Sequence, residues 1–468
     1  MKKTLRNVEL EINKEEPFID CKLGREKYAI NLTRIIENYP GGFVLALNNR
    51  WGDGKTFFVN RWRQYLQNEN FQTIYFNAWK DDFSNNPLLA IIAELTENID
   101  QPDTKLLDSF ISAGTSIFTS SIPIVLKSII KNYVGEEGVE EIVGSIGEEI
   151  GNPFKKLVKN YEEQKKTVRK FKETLSAFAE DSGKGKPVVF FIDELDRCKP
   201  SYAVEALEII KHLFDVENIV FILSIDKDQF SNSINGYYGS DRINGKEYLK
   251  RFIDLEYNLP EPELTAFIEK QVDRLEISNF FSQRLNVDHF RRDFQEFKEY
   301  GNYLFASTNS PLRTVEKILT QTKVALYTFG PKTYLFPSAL LFLTYLYKED
   351  RESFLSLKNG RVSSKQLLKI HNDIFKVDSG DSSNKANVIK WVEVDLMYLL
   401  HNKEGFESIN SIISKGDHNF NVKFQDFSIN SIELFRNIQN NNYGPRQDQI
   451  DIDHLVERIE FTKNIILN

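Results

Sequence analysis

The run "FVLALNNRWGDGKTFFVNRWRQYL", residues 43–66, constrains the fold of this chain more than any other stretch. It opens as a short apolar run, the kind that fills a strand buried on both faces. Gly52 and Gly54 break the run, and from Gly54 onward the apolar residues recur at helical spacing. A strand that turns through glycines into a helix aims the N–H groups of the turn and of the first helical residues at one point, where partial positive charge collects. Such a point suits phosphate. The pattern G-x-x-x-x-G-K-[ST] is met at Gly54, Lys55 and Thr56 but carries Asn49 where the first glycine stands. Asn tolerates positive φ better than other non-glycine residues, and the loop is expected to close on that tolerance.

Four more apolar runs follow the first: "QTIYFNAW" (72–79), "PVVFFIDEL" (187–195), "NIVFILSID" (218–226) and the shorter "FIDLEYNLP" (252–260). They lie too far apart for hairpins, and helical text such as "YAVEALEIIKHLF" stands between them. Strands alternating with helices predict an α/β fold with a mostly parallel, doubly wound sheet. About a hundred residues separate the second and third strands, more than a crossover needs, so a helical insertion is expected there. From about residue 262 the text is helical, as in "ELTAFIEKQVDRL" and "PSALLFLTYLYKED". The expected division is 1–100 and 181–262 for the sheet domain, 101–180 for the insertion, 263–334 for a helical lid and 335–468 for a C-terminal helical domain.

A chain of 468 residues with 41% hydrophobic content has material for roughly two to four domains. Its formal charge of -8 argues against a surface that tracks nucleic-acid phosphates throughout, although a local basic groove stays open. The lysine-rich "KKLVKNYEEQKKTVRKFKETL" (155–175) interleaves Glu and apolar residues and reads as a solvated helix face. Two distant cysteines, Cys21 and Cys198, give no disulfide or zinc spacing and fit a reducing, cytoplasmic setting. The six histidines suggest no metal-ligand pair. The uncharged stretch 109–126 is diluted by Ser, Thr, Gly and Pro123, so a buried or surface-lying amphipathic helix is expected and membrane contact is at most peripheral.

Chemistry enters with "VVFFIDE". An apolar strand ending in Asp193 and Glu194 would put one carboxylate on a metal's water shell and the next beside an attacking water. Lys55 would reach the β- and γ-phosphates of a nucleotide, and the Thr56 hydroxyl would bind Mg²⁺. At the end of the fourth apolar run, Ser224 or Asp226 would sit beside the γ-phosphate, with an N-cap role for Asp226 as the competing reading. Asn77 and Trp79, after the second run, would frame the nucleotide or water, with packing the favoured role for Trp79.

Together "RWGDGKT", "FNAWKDD", "FFIDELDRC", "FILSIDKDQF" and "YLKRFIDLEYNLP" resemble the KAP family of P-loop NTPases over roughly residues 17–325. The resemblance implies ATP and Mg²⁺, held by the loop Asn49, Arg50, Trp51, Gly52, Asp53, Gly54, Lys55, Thr56 and Phe57, with Thr56 and Asp193 toward the metal. It implies Glu194 or Asp196 preparing the water, Arg251 as a candidate charge reaching a bound or neighbouring nucleotide, and Arg313 as the arginine of a sensor on the helical lid, with an ordinary surface cation as the competing reading for each. Many members carry transmembrane helices between the two motifs; this insertion is too polar for confident spans.

The expected function is a Mg²⁺-dependent ATPase whose nucleotide state drives a conformational or assembly switch. A homo-oligomer, a protein partner for the C-terminal helical region and a role in bacterial anti-phage defence accompany that expectation. Two alternatives stay open: a nucleotide-binding scaffold with negligible turnover, which Asn49 favours and the Asp193–Glu194 pair opposes, and an ATP-driven nucleic-acid machine, which the acidic balance disfavours.

Overall fold

The structure is a computed structural model that describes residues 12–461, save 22, 40, 98–102, 120–151, 240–242, 262, 285–290, 331–332, 334, 377–382, 405–420, 425–426 and 431–449. The described chain forms two compact units that meet in sequence at residues 261 and 262.

The first unit is built on five strands: β1 (Phe43–Asn48), β2 (Thr73–Asn77), β3 (Val188–Asp193), β4 (Ile219–Ile225) and β5 (Leu255–Asn258). Their order across the sheet is β2-β3-β4-β1-β5, and every neighbouring pair is parallel. The apolar runs explain the order. All residues of β3 and β4 are buried, as befits strands covered on both faces, whereas β5 is partly exposed at one edge. Parallel strands need helical crossovers, and these supply the covering layers. Helices α1 (Glu26–Asn38) and α2 (Lys55–Asn68) share one core with a sheet face, around Trp62, Phe58 and Phe191. The other face packs against helices that include α4 (Pro87–Glu97), which follows the single turn α3 (Ala78–Asp81), then α5 (Thr104–Thr119), α6 (Asn152–Gly183), α7 (Pro200–Leu213) and α8 (Lys227–Tyr238). The short α9 (Gly245–Leu249) precedes β5.

The insertion is helical where it is described. In α5, Phe110, Ala113 and Ile117 are buried at helical spacing while Ile111 faces solvent. Phe110 meets Phe171 and Phe178 of α6 at centroid distances of 5.4 and 5.2 Å. The uncharged stretch is therefore an amphipathic core helix up to residue 119; its remainder, 120–126, lies outside the described residues. No helix among the described residues is long and apolar enough to cross a membrane. On α6, Lys165, Lys166, Arg169 and Lys170 are exposed, opposite Phe171 and Leu175 in the core.

The second unit is mainly helical: α10 (Leu264–Arg274), α11 (Ile277–Ser282), α12 (Asp293–Ser307), α13 (Leu312–Leu326), α14 (Pro337–Glu349), α15 (Arg351–Lys358), α16 (Ser364–Phe375), α17 (Asn384–Glu404) and α18 (Ile452–Phe461). A small antiparallel ladder, β6 (Asn421–Phe424) with β7 (Phe427–Asn430), joins them. Buried residues from Ile268 to Ile459 form one core. Helix α14 is buried on nearly every side, as its almost uninterrupted apolar text requires.

Candidate functional site: a phosphate loop facing an acidic turn

The C-terminal edge of the sheet gathers the residues singled out in the sequence. Strand β4 lies between β1 and β3, so the glycine loop after β1 and the acidic turn after β3 flank its end. Register puts Asp193 level with Asn77 on one side and Ser224 on the other.

The loop from Asn49 to Gly54 closes through its glycines. Gly52 has φ 90° and Gly54 has φ 79°, conformations an L side chain adopts only under strain. A Cβ on Gly54 would also stand 3.1 Å from Arg25 Nη1. Asn49 is not among the positive-φ residues, which corrects the expected reason for its tolerance. The loop instead takes up Asn49 by pairing: its N–H donates to the Ile225 carbonyl at 3.3 Å, and its Oδ1 accepts the Arg50 N–H at 2.7 Å. Gly54 caps α2 without any side chain covering the first N–H groups, so the 14-residue helix presents its positive end to the loop.

Lys55 is buried, and its ammonium donates to the carbonyls of Asn49 at 2.6 Å and Arg50 at 3.2 Å. Burial pulls its pKa down, against the opposing pull of Asp196, Asp226 and Asp193. Thr56 and Phe57 are half-buried in the first turn of α2, and the Arg61 guanidinium lies 3.5 Å from the Phe57 ring centroid. Arg50 pairs with Asp53 at 3.2 Å.

On the acidic side, Asp193 is buried and accepts two bonds: from the Tyr75 hydroxyl at 3.0 Å and from the Glu194 N–H at 3.0 Å. Glu194 holds φ 63°, a strained conformation for a residue with a Cβ. Its carboxylate accepts from Asn77 Nδ2 at 3.0 Å and pairs with Arg197 at 2.5 Å. Arg197 in turn lies 5.6 Å from the Trp79 ring. Trp79 is 51% exposed, so the expected packing role is corrected: the ring is a surface shelf for a cation, not part of the core.

Asp196 and Asp226 take part in a bracket. Asp196 Oδ2 accepts the Asp226 N–H at 2.7 Å and the Trp51 indole N–H at 2.6 Å. Asp226 Oδ1 caps α8 by accepting the Gln229 N–H at 3.2 Å, while Oδ2 accepts the Trp51 N–H at 3.0 Å. The N-cap reading of Asp226 is thus the one the geometry bears. Ser224 is fully buried, with its Oγ unpartnered, at the register position level with Asp193.

Arg251 is exposed in the turn after α9, and Arg313 is exposed in the first turn of α13 in the second unit. Neither takes part in the loop contacts described above.

Arg197, the partner of the Glu194 carboxylate, and two further contributors escaped the sequence reading. Arg25 is buried just before α1 and forks onto the loop carbonyls of Gly54 at 2.9 Å and Asp53 at 2.8 Å. Tyr75 braces Asp193 from the neighbouring strand; burial first and the carboxylate second push its phenol pKa upward. The only local signal for Arg25 was a charged residue between Gly24 and the first amphipathic helix.

Among the described residues no three His, Cys, Asp or Glu groups converge as a metal cage. The hard oxygens of Thr56 and Asp193 fit the Mg²⁺ habit of taking one or two protein oxygens and completing its shell with phosphate and water. The uncapped helix start, the two left-handed glycines and the buried lysine fit a polyphosphate.

A sequence model described as the KAP family P-loop domain matches residues 25–329. No curated protein matches the chain. Solved structures that resemble it include the Aeropyrum pernix ORC2 protein in its ADPNP-ADP complexes, at 11% identity and a TM-score of 0.35 over 95% of each chain. Drosophila ORC bound to DNA matches at 13% identity and a TM-score of 0.28, over 92% of this chain and 98% of that one.

Proposed function

The chain belongs to the KAP family of P-loop domains, and on that premise we propose that it is a Mg²⁺-dependent ATPase whose nucleotide state drives a conformational or assembly switch. The observation that carries the reading is Glu194. Its carboxylate is held by Asn77 and Arg197 directly after the buried Asp193, at the sheet edge where the Lys55–Thr56 helix start also lies. Binding alone asks for no second carboxylate in a strained turn; activation of a water does.

In this reading the N–H groups at the start of α2 and the Lys55 ammonium bind the phosphates, and Arg25 keeps the loop carbonyls turned away from them. Thr56 and Asp193 would hold the metal, which would supply charge neutralisation for the phosphates. Glu194 accepts the proton of the attacking water, and Asn77 aims it. Ser224 contacts the γ-phosphate or that water. Arg251 or Arg313 serves the transition-state charge of its own or a neighbouring copy, which ties turnover to self-association. The second unit recognises a protein partner, and the setting, bacterial defence against phages, is drawn from the family resemblance.

A scaffold with negligible turnover is the second reading, favoured by the two bonds Lys55 makes to its own loop. A nucleotide titration of the intact chain and of Lys55→Ala tests the shared premise. Wild type is expected to bind Mg-ATP and the variant to bind it at least about a hundredfold more weakly, the scale of losing a buried charged donor. Equal affinity would remove the loop from the account.

A further inference from the structure

We propose that Trp51 and Asp196 form a positioning pair that sets the phosphate loop against the turn carrying Glu194, with Asp196 as the hydrogen-bond acceptor. Trp51 is tethered twice: its N–H goes to Asp226 and its indole N–H to Asp196. Those two acidic residues follow different strands, β4 and β3, and are themselves joined by the bond from the Asp226 N–H to Asp196. One loop residue therefore fastens three segments of the sheet edge.

Asp196 sits in the 3₁₀ turn Leu195–Arg197 that begins at Glu194 and ends at Arg197, the partner of the Glu194 carboxylate. Moving Trp51 moves that turn. Asp196 Oδ2 already accepts two short bonds, and the side chain is only 4% exposed. These two bonds fix how the carboxylate is turned, which is what an acceptor that holds the loop requires. Burial pushes the Asp196 pKa up, opposed by the Asp226 N–H, Lys55 and Trp51. Trp51 is 42% exposed, and what an indole adds over a phenyl ring at this place is the N–H.

This inference rests on the ATPase reading for its kinetic arm but not for its optical one. The variants are Trp51→Phe, Asp196→Ala, Asp196→Asn and the Trp51→Phe/Asp196→Ala double, each kept only if its thermal unfolding stays cooperative. Without nucleotide, the emission of Trp51, obtained as wild type minus Trp51→Phe, is expected to shift in Asp196→Ala and to stay near wild type in Asp196→Asn, whose amide oxygen still accepts. With Mg-ATP, kcat is expected to fall roughly tenfold or more in Trp51→Phe and in Asp196→Ala, the scale of one hydrogen bond to a charged group. The double variant is expected to be no slower than the worse single, and Asp196→Asn to recover most of the loss.

Unchanged Trp51 emission in Asp196→Ala overturns the pair whatever the enzyme does. An Asp196→Asn variant as slow as Asp196→Ala also overturns it, by making Asp196 a base or a metal ligand. Losses that multiply in the double variant do the same, since independent residues add in free energy. A wild type that neither binds nor hydrolyses ATP sinks the ATPase reading, and the emission shift then decides the pair alone.

Discussion

Arg25 shows how a residue 29 positions before Gly54 can govern the loop. Its guanidinium is buried and forked onto two successive carbonyls, and under the proposed function it would keep those dipoles from a phosphate bound in the loop. Burial pulls its pKa down, yet an arginine stays charged through any ordinary shift, so the fork persists at all physiological pH. Lysine cannot fork. Arg25→Lys is therefore expected to weaken Mg-ATP binding by roughly tenfold, the equivalent of one hydrogen bond from a charged donor, as read by calorimetric titration. Unchanged affinity would make Arg25 a packing residue. At this scale the sequence was legible where chemistry sits in a contiguous motif: Gly54, Lys55, Thr56, Asp193 and Glu194 lie at one sheet edge in the expected order. It was illegible where contact depends on the fold. Trp51's bond to Asp196 spans 145 positions, and Asn77's bond to Glu194 spans 117. Asn49 misled because tolerance of positive φ was invoked where backbone pairing with Ile225 does the work.

Elements were the most legible level, for a physical reason. A strand covered on both faces must be apolar throughout, so β3 and β4 announce themselves as unbroken runs. The expected run 72–79 overshot β2 because Asn77 caps a new helical turn, its Oδ1 accepting the Lys80 N–H at 3.1 Å. That cap leaves the Asn77 amide nitrogen for Glu194, so one side chain both ends the strand and serves the site. The insertion tests the helical reading. Phe110 of α5 is fully buried between Phe171 and Phe178, and Phe110→Ala leaves a ring-sized void at that contact. A loss of about 3 to 5 kcal/mol is expected from chemical denaturation of the variant. A loss under about 1 kcal/mol would mean that α5 does not share the core of the sheet unit.

At the scale of the whole molecule, the family match continues past residue 261 into the second unit, as far as residue 329, while a single apolar core carries that unit on to Ile459. Composition and helical spacing foretold helices there, but not how they share an interior, because a helix as nearly apolar all round as α14 names no neighbour. The proposed switch needs nucleotide chemistry in the first unit to be felt by the second, and Arg313 is the residue of the second unit proposed to sense it. All of that depends on turnover at Glu194. The measurement that tests it most directly is steady-state phosphate release from the intact chain with Mg-ATP, beside Glu194→Gln and with ATP affinity determined for both. The account predicts release by the wild type and at least roughly a hundredfold loss in the variant, the scale typical of removing a general base, with ATP affinity within about threefold. Equal release from the two proteins, or a variant that loses turnover only because it no longer binds ATP, would contradict it.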